Sequence, residues 1–501
     1  ARRGSLSSSL GFRWADDGGD PWLFLAMAAA RLRCYMNGGI TAVGMARYAN
    51  PNPQDRVFFA YDRALKRLGL PGILIQVHLC MRGPIDVEGL RRTLPAIYRL
   101  YPATAARLEQ HPITGNPRWR LDVPEPDPRR VVRVHQLAPA TQEEFHRRTE
   151  ELLREPLELT HRPPVQFHIF RGLPKGDIVT VRWPHAFMDV RGSTLLLEDI
   201  DELYRKPRPL ADLSSLGDER RQDFESLTNV GGLREQWRTL TASRGQREPR
   251  PPHDLFLPSE PIRLPLGRIR HTVRLLTPDQ TRQTQEASLR VCGFARFGDF
   301  VRATALRALH RVMGDRPRAG DTYSTLNLLD HRKRRQRGPV CQNFFSGLPM
   351  RVPVALADNR RAVADEFHRQ TEQIVASGGI VRHLLTVRTV ARLPIAALAD
   401  AMYLNMRPDG ASALPVALGT PPSIQVGFSG ASPTASPTFC GATWDEVYGI
   451  GIPPPLSGFA VDLNLTGERL HLTATYYETR IPSHTMDALM DDLAASLQDP
   501  T

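Results

Sequence analysis

The sequence predicts a mixed α/β protein built in two parts, and three observations point there. Segments that alternate apolar and polar residues with a period of two are interspersed with segments of helical period. The alternation runs through the first 205 residues and resumes after about residue 260. Between them lies a stretch rich in Pro, Arg and Ser in which both patterns dissolve. With 501 residues, 41% of them hydrophobic, the chain can bury large cores and a wholly disordered protein is excluded.

Residues 55–69 carry Val57, Tyr61, Leu65 and Leu68 at helical spacing, and Phe58, Phe59 and Tyr61 read as its core face. A strand follows in which Ile73, Ile75, Val77 and Leu79 alternate with polar neighbours. Helices are predicted over 86–100 and over 141–154, the second opened by Thr141 with Glu144 three residues on, an N-terminal capping signature. Strands over 165–170 and 177–183 are separated by Gly-Leu-Pro-Lys-Gly, and a helix is predicted over 193–204. A further helix is predicted near 232–241 within the connecting stretch. The second part reads as strands at 268–276, 321–328, 347–354, 422–428, 458–465 and 468–477, with helices at 278–290, 296–314 and 483–497. The organisation is thus a leader over 1–51, a first lobe over 52–205, a connection over 206–260 and a second lobe over 261–501.

Charge and cysteine usage narrow the function. The formal charge is +12, carried almost wholly by arginine: lysine occurs only at Lys66, Lys175, Lys206 and Lys333. Arginine suits carboxylate and phosphate recognition, and a uniform arginine bias with abundant Ala, Pro and Leu is also what GC-rich coding produces. The cations are scattered apart from the run HRKRRQR over 331–337, so no clustered nucleic-acid footprint exists. Five widely spaced cysteines (Cys34, Cys80, Cys292, Cys341, Cys440) form no CxxC pair, which argues against a zinc ribbon or a disulfide scaffold and for a reducing, cytoplasmic compartment. The apolar stretch Trp22–Ala30 is far shorter than the ~20 residues of a membrane span, so no transmembrane segment is expected.

One constellation carries chemistry. In WPHAFMDVRGSTLLLEDI the strand ending at Trp183 gives way to a turn and then a helix, and His185 sits in that turn with Asp189 four residues on. Strand ends hold a side chain rigidly while leaving it open to a cleft. A histidine can take a proton from a hydroxyl or amine as it attacks a carbonyl. The bare H-x3-D pattern is weak, since 15 histidines give about one match by chance. Among all the histidines only His185 has the aspartate, and it has the strand–turn–helix context; the bland alternative is a turn histidine bonded to backbone.

Residues 52–498 resemble the thioester-dependent acyltransferase superfamily with an HxxxD motif, which includes condensation domains, wax-ester synthases, alcohol acyltransferases and polyketide-associated acyltransferases. The likeness rests on IDVEGLRRTLPAIYRLYPATAARLE, on LELTHRPPVQFHIF, on the motif WPHAFMDVRG, on LNLLDHRKRRQRGPVCQNFFSGLPMRVPV, and on the closing strands and last helix. Pro184 stands where many condensation domains have a first histidine, and Val190 stands where their motif has glycine, with Gly192 two places later.

The resemblance implies two chloramphenicol-acetyltransferase-like lobes packed in a V around a central tunnel. It implies transfer of an acyl group from a coenzyme A or carrier-protein (phosphopantetheine) thioester to an alcohol or amine, giving an ester or amide. His185 would be the general base, and Asp189 would point away and pair with Arg332. Ser429 is the candidate oxyanion donor and Asn343 a tunnel-lining residue. No tightly bound cofactor and no metal are expected; partners would be the small-molecule donor and acceptor and an acyl carrier protein, with the chain a monomer. The run at 331–337 could hold the phosphates of such a thioester or be a solvated turn. Cys341 reads as a buried thiol. A second class stays open: a docking module that keeps the fold without turnover.

Overall fold

A computed structural model of the chain describes residues 47–213, 224–227, 255–257, 264–294, 296–332, 338–406, 422–431 and 438–499. Most of the expected leader and connection, the helix near 232–241, and residues 333–337 of the basic run lie outside them. Residues 46–501 form one compact unit.

The first lobe opens with β1 (Tyr48–Ala49), inside the stretch read as a leader, and α1 (Pro53–Arg67). Helix α1 starts where it does because Asn52 and Asp55 exchange side-chain-to-backbone hydrogen bonds and Pro53 sits at the first helical position. There follow β2 (Leu74–Arg82), α2 (Val87–Leu100), β3 (Arg107–Gln110), β4 (Pro117–Arg120), β5 (Val132–Gln136), α3 (Gln142–Arg154), β6 (Gln166–Arg171), β7 (Ile178–Pro184) and α4 (Val190–Arg205). Thr141 caps α3 by accepting the Glu144 N–H. The alternation in β2 suggested one solvated face, yet both are covered: Gln76 and His78 are fully buried. Gln76 donates to the Thr149 carbonyl of α3 and His78 bonds Thr180 of β7, so protein rather than water meets part of the polar side, while Gln76 Oε1 and His78 Nε2 stay unbonded.

The second half comprises β8 (Ile269–Leu275), α5 (Pro278–Cys292), α6 (Phe297–Met313), β9 (Thr322–Asp330), β10 (Phe345–Pro353), α7 (Arg360–Ala376), α8 (Gly379–Val390), α9 (Ile395–Met406), β11 (Gln425–Ala431), β12 (Thr438–Phe439), β13 (Ala442–Gly451), β14 (Phe459–Thr466), β15 (Arg469–Tyr477) and α10 (Ser483–Gln498). A six-stranded sheet runs β12-β13-β2-β7-β6-β5 and a four-stranded sheet runs β11-β14-β15-β8, while β9 and β10 pair as an antiparallel ribbon.

Lobe and sequence half do not coincide. Strand β13, from the second half, pairs antiparallel with β2 from Thr443 opposite Arg82 to Gly451 opposite Ile75. Its inward residues Trp444, Tyr448 and Ile450 belong to the first core. Helix α9 likewise packs along α1, and Arg56 donates to the Ala391 carbonyl 2.7 Å away. The second core gathers α5, α6, α7 and α10 around β11, β14, β15 and the β9–β10 ribbon.

Because Ile450 is 1% exposed within the first core, Ile450→Ala should cost about 2–5 kcal/mol. In urea denaturation the midpoint should fall while a single transition persists; a transition confined to the second half would contradict the shared sheet.

Candidate functional site

The motif loop leaves β7 at Pro184, which pairs with Leu74 of β2. Three hydrogen bonds fix its path: His185 N–H to the Ile73 carbonyl at 2.9 Å, Phe187 N–H to the Pro184 carbonyl at 2.9 Å, and the Trp183 indole to the Met188 carbonyl at 2.8 Å. Asp189 then caps α4, its Oδ1 accepting the Gly192 N–H at 2.7 Å. Asp189 is extended (φ −86°, ψ 172°) and Val190 opens the helix, so no glycine is needed directly after the aspartate. Gly192 is needed instead, for closeness: a Cβ there would lie 2.3 Å from the Val340 carbonyl of the second half.

Asp189 points away from the loop into a buried ion pair. Arg332 Nη1 donates to its Oδ2 and Nη2 to its Oδ1, both at 3.0 Å, and the Phe344 N–H donates to Oδ2 at 2.8 Å. The two side chains are 6% and 4% exposed. Arg332 is itself held by the Pro339 carbonyl at 2.9 Å and by Asp330 at 3.0 Å. A forked, bidentate pair of this kind fixes orientation as well as charge. It joins the first-lobe motif to the base of the β9–β10 ribbon.

The His185 ring is clamped between aromatics. Phe58 of α1 stacks on it with centroids 4.0 Å apart and planes 13° apart, and Phe345 of β10 tilts against it at 6.0 Å. Its Nδ1 is buried without a hydrogen-bond partner. Burial pulls the imidazole below the ordinary histidine range, opposed by its own carbonyl, the Asp189 carboxylate and Asn343. These neighbours favour the charged ring, but none locks Nδ1 in a hydrogen bond.

Asn343 does not line an open wall: it is fully buried beneath the motif. Its Nδ2 donates to the His185 carbonyl at 2.6 Å and to Asp55 Oδ1 at 2.8 Å, and its N–H donates to the same oxygen at 2.9 Å. Asp55 is the residue that sequence reasoning missed. Burial pushes its carboxyl up to about 8, against the N–H bonds from Asn343 and Asn52. The N-P-Q-D spacing at 52–55 signals a capping box, but nothing in the sequence couples it to residue 343. Phe58 packs against the first core, as its spacing predicts, and also stacks on His185, one helical turn beyond Asp55. Phe59 is the buried neighbour.

Ser429 lies on β11, and its side chain is outside the described residues. Of the basic run, Arg332 joins the ion pair and His331 bonds Ser346 at 2.8 Å. Cys341 is a free thiol that burial pushes well above its ordinary range, which disfavours the thiolate. A cleft of about 340 Å3 opens between α3 and β8, lined by His146, Glu150, Arg270 and His271, and another of about 370 Å3 lies beside Tyr98; His185 lines neither. Among the described residues no group of His, Cys, Asp and Glu is arranged to hold a metal, and no helix is long and apolar enough to cross a membrane. The arrangement can present a neutral, partly accessible imidazole at a rigid strand end to a hydroxyl or amine.

Residues 52–251 match the family model described as the wax ester synthase/diacylglycerol acyltransferase catalytic domain. No curated protein matches the chain. Among solved structures, the first condensation domain of the CDA synthetase is similar with a TM-score of 0.64 at 16% identity, covering 91% of this chain and 96% of that one. The wax ester synthase/diacylglycerol acyltransferase from Marinobacter aquaeolei VT8 is similar at 0.55 and 16%, covering 90% and 98%. Polyketide synthase associated protein 5 from Mycobacterium tuberculosis is similar at 0.55 and 14%, covering 89% and 98%. The fold is therefore the two-lobed, chloramphenicol-acetyltransferase-like one, and family match and fold together indicate acyltransferase or condensation-type activity.

Replacing Asp189 with Asn keeps an acceptor for Gly192 but leaves the Arg332 charge buried and half-paired. Asp189→Asn should lower the unfolding free energy by about 3–5 kcal/mol, measured by chemical denaturation; stability within about 0.5 kcal/mol of the parent would contradict a structural ion pair.

Proposed function

We propose that the chain, which matches the wax ester synthase/diacylglycerol acyltransferase catalytic-domain model over residues 52–251 and shares the fold of condensation domains, transfers an acyl group from a coenzyme A or carrier-protein thioester to an alcohol or amine. His185 is the general base. It takes the proton from the acceptor as oxygen or nitrogen attacks the thioester carbonyl. The tetrahedral adduct then expels the thiolate, which recovers that proton, leaving ester or amide and free thiol. Asp189 keeps the loop in place through Arg332 and handles no proton.

One observation carries this reading: an imidazole clamped at a strand end, with Nδ1 unbonded and its nearest carboxylate committed to an arginine. Burial also favours the neutral form that a base requires. The excess of arginine suits anionic thioesters such as coenzyme A. The docking-module reading draws on a different observation, that neither cleft reaches His185.

Products from a panel of acyl thioesters offered with alcohols or amines, read by mass spectrometry, separate the two. His185→Ala should reduce transfer by about 100- to 10,000-fold while circular dichroism stays that of the parent; an unimpaired rate would remove His185 as base. The sign of the pH dependence also follows. A base with a lowered pKa is already neutral at pH 7, so the acid limb of kcat/KM should lie below the ordinary histidine value of about 6.5. A limb above that value would contradict the burial effect.

A further inference from the structure

The first turn of α1 lies far from the motif in sequence yet meets it twice. Asp55, 3% exposed, accepts two hydrogen bonds from Asn343 and one from the Asn52 N–H at 3.0 Å. Asn343 passes that constraint on, because the amide nitrogen that donates to Asp55 also donates to the His185 carbonyl at 2.6 Å. Asn52 closes the loop by donating to the Asn343 carbonyl at 2.8 Å. Three residues after Asp55, Phe58 lays its ring on the His185 imidazole at 4.0 Å. Residues three apart on a helix share a face, so one helical turn holds both the main chain and the ring of the same histidine.

We infer that Asp55 and Phe58 form a clamp that sets the orientation of the His185 imidazole. They are positioning residues: Asp55 acts through Asn343 on the His185 backbone, and Phe58 presses the ring into one rotation. The need for such a clamp is physical. The ring has no hydrogen bond at Nδ1 to choose its rotation, and the motif aspartate, which could have done so, is turned away towards Arg332. A stacked aromatic face supplies orientation without occupying a ring nitrogen, which leaves the imidazole chemically available. An asparagine at 55 could not supply the same two acceptor oxygens. One of its two terminal atoms would be an NH2 facing an N–H donor, from Asn343 or from Asn52.

The inference rests on the general-base reading for its purpose, but not for its main test. In protein labelled with 15N-histidine, the His185 ring resonances are assigned by their loss in His185→Ala. Wild type should show one neutral tautomer titrating below the ordinary range. In Phe58→Ala and Asp55→Asn the ring should move towards an average of tautomers, with its titration midpoint rising towards about 6.5. Phe58→Tyr, which keeps the aromatic face, should behave as wild type. In acyl transfer, kcat should fall about ten- to a hundredfold in the first two variants with KM changed less than about twofold, since donor and acceptor contacts are untouched.

Wild-type ring resonances in folded Phe58→Ala and Asp55→Asn would overturn the clamp. Should Asp55→Asn not fold, the contrast between Phe58→Ala and Phe58→Tyr decides alone, because equal ring behaviour in both would overturn it. Altered ring resonances with an unaltered kcat would support the clamp and overturn the general-base reading instead.

Discussion

The Asp189 carboxylate is the point on which the arrangement hangs. It is buried with four donors converging on it: Gly192 N–H from its own helix, both Arg332 terminal nitrogens, and Phe344 N–H. A carboxylate taken out of water is costly unless donors of this kind fill its lone pairs. Three of the four come from the second half of the chain, so the buried carboxylate has its full set of donors only when the base of the β9–β10 ribbon is docked on it. Folding of the site and association of the two halves are therefore one event.

Docking brings more than a counter-charge. The segment that carries Arg332 and Phe344 also delivers Asn343 beneath the loop and Phe345 beside the ring. Helix α1 approaches from the other side with Asp55 and Phe58. The His185 imidazole thus lies between residues from two stretches remote from it in sequence while its own Nδ1 stays unbonded. A buried polar network is stable when every member is satisfied, and this one meets that condition at Asp189 and at Asp55. Besides His185 Nδ1, Asn343 Oδ1 has no partner among the described residues, a modest cost set against the two bonds its amide nitrogen makes.

Much of this was legible in the sequence. The strand–turn–helix around His185 and the capping of α3 by Thr141 follow from local spacing and turn chemistry, which act within a few residues. The helices α7, α8 and α9 escaped it. The last is apolar on most sides, and a helix without a polar face shows no stripe from which a period can be read. Strand β13 escaped for another reason: Trp444, Tyr448 and Ile450 point inward into a core assembled from the first half. Phe58 and Phe59 show the limit most plainly. Adjacent and chemically identical, both pack into the first core, yet only Phe58 also stacks on His185.

What the sequence determined by itself was the alternation of elements and the placement of one histidine at a rigid strand end, because backbone propensity, capping and hydrophobic period are local properties. What only the tertiary structure decided was what surrounds that histidine. The gap of 143 residues between Asp189 and Arg332, and of 288 between Asp55 and Asn343, is closed by packing two cores against each other. No local rule reaches that far. Burial then does what sequence position cannot: it lowers the His185 imidazole, raises the Asp55 carboxyl, and turns an ordinary helix cap into part of the mounting of the proposed base.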